Sequence, residues 1–141
     1  MTDTPHGDTA ITSSKVSQDH RATILPKYFP HTFVVVENMV YRFVEQLCEH
    51  YSGECWEFYE LSNGGFYMAL NMEGLFHVSV PYGARFEGEI SADALGIIVC
   101  LSVYSHLAGK HPCSDFGEHY WSLRDFAAQH KEMAAIIKAI A

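Results

Sequence analysis

The spacing of apolar residues along the chain changes character at about residue 53. Before that point Val36, Met39, Val40, Phe43, Val44 and Leu47 recur at three- and four-residue intervals. Glu37, Arg42, Glu45 and Glu49 fall on the other side, so the pattern predicts an amphipathic helix over 32–50. A shorter helix fits within 19–29, limited by Pro26, which disfavours helical backbone at Leu25. After Gly53 come four runs of strand length, 54–61, 66–70, 75–80 and 84–90. Ser62-Asn63-Gly64-Gly65 separates the first two, and an Asn-Gly pair between such runs is a hairpin signal because both residues tolerate positive φ. The four runs predict a four-stranded antiparallel meander.

Ser91 then reads as a helix N-cap, with Asp93 suited to the positive helix end. The segment 92–108 is apolar almost all round (Leu95, Ile97, Ile98, Val99, Leu101, Val103, Leu107), and a helix of that kind belongs at the centre of a core. Gly109 marks its stop. Two more helices follow over 114–129 and 131–140, the first turning Phe116, Tyr120, Leu123, Phe126 and Ala127 inward. The expected fold is therefore α+β: a four-stranded antiparallel meander packed against several helices, with a buried central helix after the last strand. Residues 1–17 are polar and nearly free of apolar side chains, which reads as a loose arm preceding a single domain over 18–141.

Composition agrees with a globular chain: 48% of the 141 residues are apolar and 18% charged, with nine Phe and eight Tyr for core material. No uninterrupted apolar run approaches the roughly 20 residues of a membrane helix. The polar, partly acidic N-terminus resembles neither a signal nor a transit peptide, so the expected location is the cytoplasm, with the four cysteines as free thiols. Cys48, Cys55, Cys100 and Cys113 contain no Cys-x-x-Cys pair, the usual sign of a zinc or redox site.

Dividing the net charge of −8 is more informative. Residues 1–36 and 94–141 each balance to zero. Residues 37–93 hold ten acids against only Arg42 and Arg85. An acidic surface repels nucleic-acid phosphates and favours basic partners, so direct nucleic-acid binding is not expected.

Candidate chemistry is sparse. Ser62 lacks the Gly-x-Ser-x-Gly elbow that exposes a nucleophilic serine, and it reads as the start of a turn. Cys48, His50 and Cys55 cluster in sequence, but Cys48 lies on the apolar side of its helix. Glu87 and Glu89 share a strand face with Arg85, with the acids roughly 7 Å apart by strand rise. That is a separation glycosidases use, but the pair reads first as a solvated sheet face. His111, Cys113 and His119 lie near a helix start without a complete ligand set, and no cofactor motif is present. Glu57, Tyr59, Asn63, Tyr67, Arg85, Glu87 and Glu89 remain as a candidate partner-binding group, since Tyr is enriched at interface hot spots.

Two longer blocks are specific enough to carry a family resemblance. Gly53-x-x-Trp56-x-Phe58-Tyr59-Glu60-Leu61-Ser62-Asn63-Gly64-Gly65-Phe66-Tyr67-Met68-Ala69 is followed by Phe86-x-Gly88-x-Ile90-Ser91-Ala92-Asp93-Ala94-x-Gly96-Ile97. In content, order and spacing they resemble the antirestriction proteins of the ArdB/KlcA type, from about Asp19 to the C-terminus. Leu70 stands where that family often has proline, and Cys55 where an aromatic is common. The resemblance implies a small α+β protein of plasmids and other mobile elements that shields unmodified DNA from type I restriction enzymes. It implies no catalytic residues and no cofactor. The implied partner is the type I restriction–modification complex or a host factor, with no membrane; homodimerisation is left open. An acidic DNA mimic and a small hydrolase using Ser62 or a Glu pair are the alternative readings.

Overall fold

The computed structural model describes residues 10–48, 55–81, 83, 85–112 and 114–141. His50, Gly53, Glu54, Tyr82, Ala84, Cys113 and the first nine residues of the expected arm lie outside the described residues. The elements in chain order are β1 (Ser13–Lys15), a 3-10 turn (Gln18–His20), α1 (Arg21–Tyr28), α2 (Phe33–Leu47), β2 (Trp56–Leu61) and β3 (Phe66–Leu70). They continue with β4 (Leu75–Ser79), β5 (Glu87–Ser91), α3 (Ala92–Lys110), α4 (Phe116–Ala127) and α5 (Met133–Ile140).

The α+β class holds, but the strands do not form one meander. They make a three-stranded antiparallel sheet, β1-β2-β3, and a separate hairpin, β4-β5. The division has a physical cause in α3. In the β2–β3 ladder Tyr59 faces Tyr67 and Glu57 faces Ala69, which turns the backbone of Phe66 and Met68 toward the outer edge. A strand edge left unpaired invites association with another strand. Here α3 covers it. Tyr104 Oη donates to the Phe66 carbonyl at 2.6 Å, and the Met68 N–H donates to Cys100 Sγ at 3.5 Å. Gly96, Cys100 and Tyr104 form one i, i+4, i+8 stripe, and Gly96 lets the backbones meet. A Cβ there would lie 2.4 Å from the Met68 carbonyl oxygen and 2.6 Å from Ala69 Cβ. Gly96 therefore fixes how closely helix and sheet approach.

The first strand was not expected. Residues 13–15, placed in the loose arm from sequence, pair with β2 from Ser13 opposite Leu61 to Lys15 opposite Tyr59. Three exposed polar residues carry no hydrophobic period. They are held instead by backbone pairing and by side chains from outside the strand. Ser62 Oγ accepts from the Thr12 N–H at 2.9 Å. The Gln129 amide both accepts from the Ile11 N–H at 3.0 Å and donates to its carbonyl at 2.6 Å.

The β2–β3 connection is one residue longer than an Asn-Gly two-residue turn. Gly64 N–H closes on the Leu61 carbonyl at 3.0 Å, and Leu61 N–H pairs with the Gly65 carbonyl at 2.9 Å. Only Gly64 takes positive φ (+89°), so this is a three-residue loop with a left-handed glycine. Pro26 lies inside α1 and does not end it. The backbone bond it forgoes would go to Ala22, an exposed position. Gly109 likewise does not stop α3, which continues to Lys110.

Ser91 caps α3 as expected, its Oγ accepting from the Ala94 N–H at 3.1 Å. By length and apolar composition α3 could cross a membrane. Within this fold it is the core: Ile97, Ile98, Val99, Leu101, Val103 and Tyr104 are completely buried among β3, α2, α4 and α5.

Candidate functional site

The candidate group splits between the two sheets. Glu57, Tyr59, Asn63 and Tyr67 belong to the β2–β3 hairpin, while Glu87 and Glu89 lie on β5. Arg85 is exposed in the turn before β5, with φ +57°, so strand alternation does not place it on the Glu87–Glu89 face.

The β2–β3 members are all engaged within the chain. Glu57 Oε1 accepts from Arg21 Nη1 at 2.9 Å, and Lys15 lies 4.0 Å from its other oxygen. Asn63 ties the loop down at both ends, accepting from Gly65 N–H at 3.0 Å and donating to the Ser122 carbonyl at 2.8 Å. Tyr59 stacks on Tyr67 with centroids 4.9 Å apart, and Tyr67 stacks in turn on Phe126 at 5.9 Å. Tyr67 is buried.

The stack leads to a polar network that sequence reasoning missed. Tyr67 Oη donates to Asp93 at 2.6 Å, and His130 Nε2 lies 2.8 Å from the other Asp93 oxygen. His130 Nδ1 accepts from the Glu132 N–H at 3.0 Å. A nitrogen that accepts is unprotonated, so Nε2 is the donor to Asp93. Glu132 closes the cluster by accepting from the Ser91 N–H at 3.0 Å and from Ser91 Oγ at 2.5 Å. Burial alone would raise the Asp93 pKa, but the hydrogen bonds from His130 and Tyr67 outweigh it and hold the carboxyl below its ordinary value. Tyr67 is pushed well up, first by burial and then by Asp93. The sequence signal was present in part: Asp93 was assigned to the α3 dipole, but its partners lie 26 and 37 residues away. A cleft of about 500 Å³ opens beside the network, lined by Tyr59, Asn71, Glu73, Ser91 and Asp93.

On the β4–β5 hairpin, Val78 and Ile90 face the core while Leu75, His77, Ser79, Glu87 and Glu89 are exposed. Glu87 meets His77 Nε2 at 3.0 Å. Glu87 and Glu89 thus form an exposed acidic pair on this hairpin. Elsewhere the acidic stretch is partly neutralised by the N-terminal segment, with Lys27 on Glu60 at 2.9 Å joining Arg21 on Glu57.

Catalytic constellations do not assemble among the described residues. Ser62 Oγ serves the Thr12 N–H. The half-buried His130–Asp93 pair has both imidazole nitrogens occupied, leaving none to act as a base. Cys48 and Cys100 are buried free thiols and Cys55 an exposed one. Burial pushes Cys100 up to about 12, far from an activated thiolate. His119 is packed in aromatic rings, 4.7 Å from Phe29 and 5.8 Å from Tyr104. No group of three His, Cys, Asp or Glu among the described residues is arranged to hold a metal.

Comparison with known proteins gives a consistent result. Residues 49–141 match the profile of the family described as antirestriction protein. The chain is 40% identical over 138 residues to the antirestriction protein KlcA of Escherichia coli, covering 94% of this chain and 96% of that one. It is 35% identical to the protein YfjX of E. coli K12, covering 92% of this chain and 88% of the relative. A solved structure superposes with a TM-score of 0.85 at 40% identity, covering 93% of this chain and 95% of the other. That work describes KlcA and ArdB as having a novel fold and antirestriction activity against type I DNA restriction systems in vivo but not in vitro.

Proposed function

This chain belongs to the antirestriction protein family, and from that premise we propose that it protects incoming DNA from type I restriction enzymes by binding a protein, without catalysis. The observation that carries the reading is the near full-length match, in sequence and in shape, to proteins described as active against type I systems. The setting is the cytoplasm of the recipient cell, where incoming mobile-element DNA meets the restriction enzyme.

The absence of an assembled nucleophile–base pair among the described residues favours binding over hydrolysis. The docking face we favour is the exposed side of the β4–β5 hairpin, with Glu87 and Glu89, and with Arg85 at its turn. The acids of β2 are less suited, because Arg21 and Lys27 already neutralise Glu57 and Glu60. Tyr59, Asn63 and Tyr67 would support the sheet and its loop.

A DNA mimic is the competing reading. Duplex DNA carries one charge per roughly 1.7 Å of axis, about twenty over ten base pairs, against a net −8 for the whole chain. A mimic needs only the enzyme and its DNA, so it should work in vitro. The relatives' activity in vivo but not in vitro favours a process that needs another component of the cell.

The test is cleavage of unmodified DNA by a purified type I enzyme with this protein in molar excess. No inhibition at any salt concentration is expected. Inhibition that weakens as salt rises would replace this reading with DNA mimicry. In cells, the pair Glu87→Lys and Glu89→Lys should abolish protection at unchanged thermal stability. Retained protection would move the docking face elsewhere.

A further inference from the structure

We propose that Tyr120, Trp121 and Arg124 on α4 form a second docking anchor, for a protein partner that presents a carboxylate beside an apolar side chain. Trp121 is 59% exposed, an unusual position for so large an apolar ring. The core does not require it there: Phe116, Leu123 and Ala127 supply the buried positions of α4.

The exposed ring is nevertheless held in place. It meets Tyr120 edge-on, with centroids 5.2 Å apart and planes at 89°. The Arg124 guanidinium lies 5.4 Å from the Trp121 centroid and 5.9 Å from that of Tyr120, while its Nη1 donates to Tyr120 Oη at 2.8 Å. Such an arrangement fixes two long side chains before any partner arrives, which lowers the entropy lost on binding.

The chemistry of the occupant follows from Arg124. Among the described residues no carboxylate pairs with it, although the chain carries 17 acids to nine bases. A planar guanidinium stacked on an indole takes an incoming carboxylate through paired N–H donors. Tyr120 also lines a cleft of about 460 Å³ whose walls mix Phe43, Leu101 and Ile140 with Ser102, Ser105 and His106, which offers room for a partner side chain on the Tyr120 side of the anchor. Trp, Tyr and Arg beside a pocket are the residue types that dominate binding energy at protein interfaces. A single-stranded nucleic acid could also stack on Trp121, but its repeated phosphates would meet a chain of net charge −8. A protein brings one carboxylate without that repulsion.

The anchor is tested first through protection, a step that rests on the antirestriction reading above. Trp121→Ala and Arg124→Glu should each lower phage protection roughly tenfold or more, as loss of a hot-spot residue does. Arg124→Lys should fall between, and Val34→Ala, which trims another exposed apolar residue, should protect as the parent chain does. Thermal melts should be unchanged for all four. If the parent protects and Trp121→Ala and Arg124→Glu protect equally well, the anchor is wrong. If the parent gives no protection, the antirestriction reading fails, and a second measurement decides the anchor. A benzophenone amino acid at position 121 of the full chain, illuminated in cells, should give an adduct to one identified protein that disappears with Arg124→Glu. No Arg124-dependent adduct would overturn the proposal. Saturable binding of a fluorescein-labelled single-stranded oligonucleotide, lost with Trp121→Ala, would overturn it in favour of a nucleic-acid ligand.

Discussion

Tyr67, Asp93 and His130 show how one buried ring can organise residues from a strand, a helix and a loop. The Tyr67 hydroxyl and His130 Nε2 each occupy one Asp93 oxygen, and the hydrogen bonds favour the ionised carboxylate. Because the folded pKa lies below the ordinary value of 3.8, the unfolded chain takes up a proton first as pH falls. Stability from this group is complete above about pH 4 and is lost as pH drops through the folded value. Acid unfolding followed by circular dichroism should therefore be less steep below about pH 4 for Asp93→Asn than for the parent. Tyr67→Phe should cost about 1.5–3 kcal/mol by urea titration, the usual net worth of a hydrogen bond to a charged group.

His119 gives the opposite chemistry with the same direction in pH. Burial lowers its pKa below 6.5, against smaller opposing effects of the Tyr28 carbonyl, Asp115 and Glu118. The unfolded chain then binds a proton that the folded chain refuses, so stability is full above about pH 6.5 and declines as pH falls below it. Comparing melting temperatures at neutral pH and two pH units lower should show a smaller drop in His119→Gln than in the parent. An equal drop would show that His119 is not the group responsible.

At the scale of elements, the amphipathic α2, the buried α3, the Ser91 cap and the β2–β3 hairpin were legible because each leaves a local periodic or capping signal. The division of the strands into two sheets was not, since it depends on a helix covering a strand edge distant in sequence. One local clue existed: a glycine inside an apolar helix often has a packing reason, and Gly96 has one. Gly96→Ala should destabilise the fold by about 2–3 kcal/mol, because the clash is with β3 backbone and not with a movable side-chain tip. Ser91→Ala should cost about 1–2 kcal/mol through the lost cap, with the Glu132 bond lost alongside it. Urea titrations with unchanged m-values would report both. β1 was illegible for a different reason: Ser-Ser-Lys has no pattern, and its place is set by Ser62 and Gln129.

For the whole molecule, the charge count was right and its arrangement was not. The acids of 37–93 are contiguous in sequence, but Arg21 and Lys27 fold back onto Glu57 and Glu60, leaving Glu87 and Glu89 as an exposed acidic pair on a separate hairpin. Of the candidate group, those two acids and Arg85 are exposed and outside the β2–β3 network, and the helical period already left Trp121 off the inward face of α4, although its clustering with Arg124 and Tyr120 was not foreseen. The function was legible for another reason. The two long motif blocks hold the hairpin loop, the edge-covering glycine and the α3 cap together, and these are the parts whose geometry tolerates least change. The central claim is that the chain relieves type I restriction in the cell. The most direct measurement is the plating efficiency of unmodified phage on a host carrying a type I system, with and without this protein. Efficiency should rise toward that on a host lacking the enzyme; unchanged efficiency in cells that hold the folded protein would contradict the claim.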